Sequence, residues 1–136
     1  MNKQLIQEGI DAYIDTEFPL TVFKSWDVVL GFFSKVEQKT DEESQEMYDK
    51  LPDTVMLYRG VLAKEGFKST TGVSWTTDIE VAKMFALRFS GLGGTPWISK
   101  GEIDKKNILY FTNARQESEA IIDPDSMIWV DDEEVE

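Results

Sequence analysis

The chain contains no cysteine and no histidine. These two absences exclude thiol and imidazole nucleophiles, disulfide staples and the common zinc sites. Any catalysis must run on carboxylates, hydroxyls, Arg, Lys or Tyr. A chain without thiols also fits a reducing compartment. No run of about 18 apolar residues is present, and the N-terminus lacks a charged segment followed by an apolar one and a small-residue cleavage site. The expectation is a soluble, monomeric, cytoplasmic protein with no membrane partner. Basic residues are scarce, 14 Lys and Arg against 26 Asp and Glu, for a net charge of -12. Without a basic stripe to engage phosphates, nucleic acid is not an expected partner.

What is present suffices for a core. A chain of 136 residues with 41% apolar content is expected to be a single domain that closes its own interior without staples. The acidity is unevenly spread. Residues 1–50 carry eleven acids against five bases, residues 51–122 eight against nine, and residues 123–136 seven against none. The middle stretch would not repel an anionic dinucleotide. The terminal run from Asp131 to Glu136 reads as a solvated, frayed acidic tail.

Periodicity divides the chain into a helical segment, 1–52, and a β core, 53–130. Leu5, Ile6, Ile10, Tyr13 and Ile14 recur at helical spacing, as do Val22, Trp26, Val29, Phe33 and Val36, and the two helices break near Pro19. A short third helix is expected from the capping box Thr40-Asp41-Glu42-Glu43 to Pro52. Short β runs then take over at Val55–Gly60, Gly72–Trp75, Trp97–Ile103, Ile108–Phe111, Glu119–Ile122 and Met127–Val130. One helix interrupts them. Thr77-Asp78-Ile79-Glu80 is a second capping box, followed by the stripe Ile79, Ala82, Phe85, Ala86 and Phe89. Gly91-Leu92-Gly93-Gly94-Thr95-Pro96 follows that helix as a loop, so it does not cradle phosphate at a helix start. Helices first and strands afterwards predict an α+β domain, with N-terminal helices packed on antiparallel β-sheets.

Three motifs carry chemistry. In Leu57-Tyr58-Arg59-Gly60, Arg59 shares a strand face with Val55 and Leu57. Its planar fork suits a pyrophosphate, although the motif alone also fits an ion pair at a sheet margin. In Val73-Ser74-Trp75-Thr76-Thr77, a strand turns into a helix. Thr77 reads as its N-cap, while the Ser74 hydroxyl is placed to orient a neighbouring carboxylate. Trp75 is either core or the wall of a cleft. In Glu117-Ser118-Glu119, two carboxylates would lie about 7 Å apart on one face if the strand included both. Such a pair gains nothing structurally, but suits a reaction in which one carboxylate stabilises an oxocarbenium-like centre and the other handles the nucleophile. The same residues also read as a polar loop leading into a strand.

In this order, and with a helix after the second motif, the three resemble the Arg, Ser-Thr-Ser and Glu-x-Glu motifs of mono-ADP-ribosyltransferases. The resemblance covers residues 57–122 and implies an ADP-ribosyltransferase-like sandwich. It implies that NAD is the substrate and that a glycosyltransferase reaction moves ADP-ribose to a protein acceptor, an arginine side chain being the one that goes with Glu117. It assigns NAD binding to Arg59, Ser74, Trp75 and Thr76, and catalysis to Glu119 and Glu117. Ser74 would position Glu119, and Asn113–Gln116 would form the acceptor-recognition loop. Trp75 stands where the middle Thr is usual and would fill the nicotinamide pocket; Thr76 stands for the last Ser. No metal is expected. The chain is also similar to small bacteriophage proteins, which would place it in a bacterial host cytoplasm. The alternative reading is a catalytically inactive acidic phage protein that inhibits a host factor. A carboxylate-metal hydrolase on Asp123, Asp125 and Asp131 is a more distant one.

Overall fold

A computed structural model describes residues 3–14, 25–63, 73–88 and 95–135. Pro19, Val22, Gly72, Phe89 and the glycine-rich stretch 91–94 lie outside them. Among the described residues the architecture is α+β, with four helices and a six-stranded antiparallel sheet. Two compact units are present, residues 1–37 and 38–136.

The first unit holds α1 (Lys3–Ile14) and α2 (Trp26–Ser34). The expected apolar spacing buries Ile10 and Tyr13 on α1, and Val29 and Phe33 on α2. Tyr13 meets Phe33 edge-on, with ring centroids 5.2 Å apart. Gly9 leaves room for the Phe32 ring, which a Cβ there would push aside. Ser25 caps α2 by accepting the Val28 N–H at 3.2 Å.

The second unit opens with a 3₁₀ turn, Glu42–Ser44, that runs into α3 (Gln45–Asp49). Asp41, not Thr40, is the cap, accepting the Ser44 N–H at 2.8 Å. Thr40 has a different task. Its buried hydroxyl donates to the Phe111 carbonyl at 2.7 Å. At the far end of α3, the Lys105 ammonium reaches the Asp49 and Leu51 carbonyls and lies 4.7 Å from the Tyr48 ring centre. A cation at a helix C-terminus satisfies the last carbonyls and the helix dipole.

The strands are β1 (Thr54–Ala63), β2 (Ser74–Thr76), β3 (Thr95–Asp104), β4 (Tyr110–Thr112), β5 (Glu119–Ile121) and β6 (Trp129–Glu134). Their order in the sheet is β4-β5-β2-β1-β3-β6. Among the described residues each of the six expected strands overlaps an observed one, with β1, β3 and β6 running beyond their apolar runs. Alternation along β1 turns Val55 and Leu57 to one face, where they enclose Trp75, Ile103, Phe111 and Ala120 in the core. The opposite face carries α4 (Ile79–Arg88), which buries Ala82 and Ala86. Gly60 makes that packing possible. A Cβ at Gly60 would collide with the Ala82 carbonyl and lie 2.6 Å from the Ala86 nitrogen.

Two more local expectations are corrected. α4 is capped by Asp78, whose carboxylate accepts the Glu80 N–H at 2.9 Å, and not by Thr77. The acidic end is not a frayed tail but edge strand β6, paired with β3 from Trp129 opposite Glu102 to Glu134 opposite Trp97. Its charge has cross-strand receivers. Ser99 donates to Asp132 at 2.5 Å, and Lys100 to Glu133 at 2.6 Å. The acids of β6 are mostly exposed, as expected, but the run looks frayed in sequence because these partners are some thirty residues away.

Candidate active site at the β1–β2 seam

β2 pairs with β5 on one side, with Ser74 opposite Ile121 and Thr76 opposite Glu119. On its other side, Thr76 is opposite Tyr58 of β1. Directly opposed residues point to the same face, so Glu119, Thr76 and Ser74 share the face that α4 covers. Ser74 lies diagonally from Glu119, and its hydroxyl donates to the Glu119 carboxylate.

Arg59 reaches this point from the other face. Alternation groups it with Val55 and Leu57, yet its Nη1 donates to the Ser74 carbonyl at 2.8 Å. The backbone explains why that carbonyl is available. Val73 and Thr77 direct their backbone groups at β5, through Ile122 N–H to Val73 O at 2.9 Å and Thr77 N–H to Ser118 O at 3.1 Å. In an antiparallel ladder the direction alternates, which turns Ser74 toward β1. Among the described residues, Tyr58 opposite Thr76 is the whole of the β1–β2 ladder. Beyond that pair the Arg59 guanidinium occupies the seam.

Burial pushes the Glu119 carboxyl up to about 7. The Ser74 hydrogen bond pulls it down, Glu117 pushes it further up, and Arg115 and Arg59 pull it down. The side chain is therefore a carboxyl poised to change charge near neutrality, with a hydroxyl and two guanidiniums favouring the ionised form.

Glu117 stands in the loop, because β5 begins at Glu119. Its carboxylate is 3.3 Å from the Arg115 Nε. The loop is closely held. Thr76 donates its hydroxyl to the Glu117 carbonyl at 2.7 Å and accepts the Asp78 N–H at 3.1 Å. Its hydroxyl thus ties the carboxylate loop to the start of α4. Trp75 points the other way and is 2% exposed in the core. Of the six residues singled out in the sequence, Arg59, Ser74 and Glu119 converge, Glu117 flanks them, Thr76 holds the backbone, and Trp75 lies on the opposite face of β2. Sequence reasoning did not single out Arg115, although its spacing of two from Glu117 was visible.

Among the described residues, no group of three or more acids is arranged to hold a metal ion, and Asp123 instead accepts the Asp125 N–H at 3.0 Å. Among the same residues, no helix is long and apolar enough to cross a membrane. Compared with family models, with curated proteins and with solved structures, the chain matches none.

Proposed function

We propose that the protein is a mono-ADP-ribosyltransferase that cleaves the nicotinamide glycosidic bond of NAD and transfers ADP-ribose to a protein acceptor, an arginine side chain being the one that suits Glu117. The reading includes an ADP-ribosyltransferase-like sandwich as the fold. The observation that carries it is the meeting of Arg59, Ser74 and Glu119, from three strands, at one seam. Arg59 supplies a planar donor fork for the NAD phosphates and the adjacent ribose. Ser74 orients the Glu119 carboxylate. As the glycosidic bond breaks, nicotinamide leaves with the bonding electron pair, and ionised Glu119 stabilises the oxocarbenium-like ribose while accepting its 2′-hydroxyl hydrogen bond. The incoming nucleophile closes the bond to the anomeric carbon, and Glu117 takes its proton. Thr76 supports the two carboxylates through the backbone, and Trp75 acts as core. The acidic-inhibitor reading has less behind it, because Asp132 and Glu133 of β6 are engaged by Ser99 and Lys100 within the sheet.

Ligand-observed NMR on purified protein tests the assignment, with saturation of NAD signals and slow appearance of nicotinamide as the expected result and Arg59→Ala as the control. Glu119→Gln should lower nicotinamide release by about 10²- to 10⁴-fold and leave the amide spectrum folded. Unchanged turnover in that variant would remove Glu119 from the chemistry. Glu117→Ala should lower transfer to the acceptor while hydrolysis by water persists. Equal loss of both activities would end the division of labour between the two carboxylates.

A further inference from the structure

The six residues between β4 and β5 contain two left-handed positions that are not glycine, Gln116 at φ 58° and Ser118 at φ 45°. Side chains resist this region, at a cost of order 1–2 kcal/mol per residue, so it persists where the surroundings impose it. Ser118 lies between the two carboxylates. Because β5 starts at Glu119, the regular alternation of a strand does not set the direction of Glu117; the Ser118 dihedral does.

One side chain in this loop addresses Ser118 directly. The Asn113 Oδ1 accepts the Ser118 N–H at 3.1 Å and the Ser118 hydroxyl at 3.4 Å. Asn113 is itself anchored from outside the loop, its N–H donating to the buried Ser44 hydroxyl at 2.7 Å. Its neighbour Thr112 donates to Asp41 and accepts the Ala114 N–H at 3.1 Å. On the far side, the Ser118 carbonyl accepts the Thr77 N–H at 3.1 Å. Ser118 is thus held at both of its backbone polar groups, and Asn113 is the side chain that holds one of them.

We propose that Asn113 is a positioning residue: by receiving the Ser118 N–H it keeps Ser118 left-handed, and so sets where the Glu117 carboxylate stands relative to that of Glu119. The purpose of that spacing rests on the transferase reading, but the geometry does not. With Asn113 in place, Glu117 adds to the upward push that burial exerts on Glu119. Loosening the loop admits water and moves Glu117 away, and both changes lower the Glu119 midpoint against the weaker pull of Arg115.

The test is carboxyl-carbon NMR titration of Glu119 in the full chain, without NAD. Asn113→Ala should lower the midpoint from about 7 by about one unit, toward the ordinary carboxylate range. Ser118→Val leaves the Asn113 oxygen in place but resists a positive φ, and should lower it in the same way. Ser118→Gly accepts that φ without strain and should keep the wild-type midpoint. An unchanged midpoint in Asn113→Ala overturns the proposal. If Asn113→Ala does not fold, the serine pair decides, and equal midpoints in Ser118→Val and Ser118→Gly overturn it. The readout is separate from turnover: a midpoint that moves in a protein unable to cleave NAD supports the role of Asn113 and counts against the enzyme reading alone.

Discussion

On one side of β1 the ladder to β3 runs from Thr54 opposite Asp104 to Ala63 opposite Thr95; on the other, among the described residues, Tyr58 opposite Thr76 is its entire pairing with β2. The first side satisfies its backbone groups with one another. On the second, a side chain does part of that work, as Arg59 takes the Ser74 carbonyl. A regular ladder leaves little room for chemistry, because its polar groups already have partners. A parted seam gathers hydroxyls, carboxylates and a guanidinium at one place, and the long ladder next to it keeps the frame rigid enough for them to stay there.

The comparison breaks most visibly if the frame is hollowed. Leu57→Ala, on the fully buried side of β1, should cost about 3 kcal/mol through lost burial and the cavity left behind. Denaturant unfolding reads that loss, and the Glu119 titration midpoint should stay where it was. A midpoint that moves along with stability would mean the two sides of β1 are not separable.

The next effect belongs to the seam and depends on pH. The folded-state pKa of Glu119, about 7, lies above the ordinary value of 4.5. Between those two values the folded chain binds a proton that the unfolded chain does not. The stability contributed by neutral, buried Glu119 is therefore fully present below about 4.5, falls as pH rises toward 7, and is gone above it. The swing is on the order of 3 kcal/mol. Subtracting the unfolding free energy of Glu119→Gln from that of wild type at pH 5 and pH 8 isolates it, and a flat difference would show that Glu119 is not desolvated. Nicotinamide release should follow the opposite course, rising as Glu119 ionises through pH 7.

Thr76→Val sharpens the contrast with a smaller change. It removes the donor to the Glu117 carbonyl and the acceptor for the Asp78 N–H while preserving volume, at about 1–2 kcal/mol of stability. Turnover should fall by more than that stability loss implies, because the loop carrying Glu117 loses its tie to β2. Thermal melts beside nicotinamide release decide it; equal proportional losses would make Thr76 structural only.

Much of the frame was legible in the sequence. The periods of 3.6 and 2 gave α1, α2, α4 and the first five strands their places, and touched β6 only at Trp129 and Val130, because burial of alternate or stripe positions leaves a mark in composition. Caps were less legible. Thr40 and Thr77 carry the right hydroxyl, but Asp41 and Asp78 make the bonds, and Thr40 is drawn to the Phe111 carbonyl across the fold. The acidic end misled for the same reason, since Ser99 and Lys100 are remote in sequence and adjacent in space. At the site, Arg59, Ser74 and Glu119 were marked by their short motifs. Trp75 stayed ambiguous until the register showed which face of β2 it occupies, and Asn113 was marked only as part of an acceptor-recognition loop, because left-handed backbone at Gln116 and Ser118 is not written in their residue types.

By itself, the sequence determined which residues are apolar at which spacing, that the chain supplies no thiol or imidazole, and that a hydroxyl, a guanidinium and two carboxylates lie in three short motifs. Those properties are local, set by residue type and period. The tertiary structure decided that the Arg59 guanidinium crosses from the core face to the Ser74 carbonyl, that Glu119 is buried enough for its pKa to rise to about 7, and that the acids of β6 are an edge strand. Each of these depends on how strands far apart in the chain are brought together, where register sets who faces whom and burial sets the dielectric.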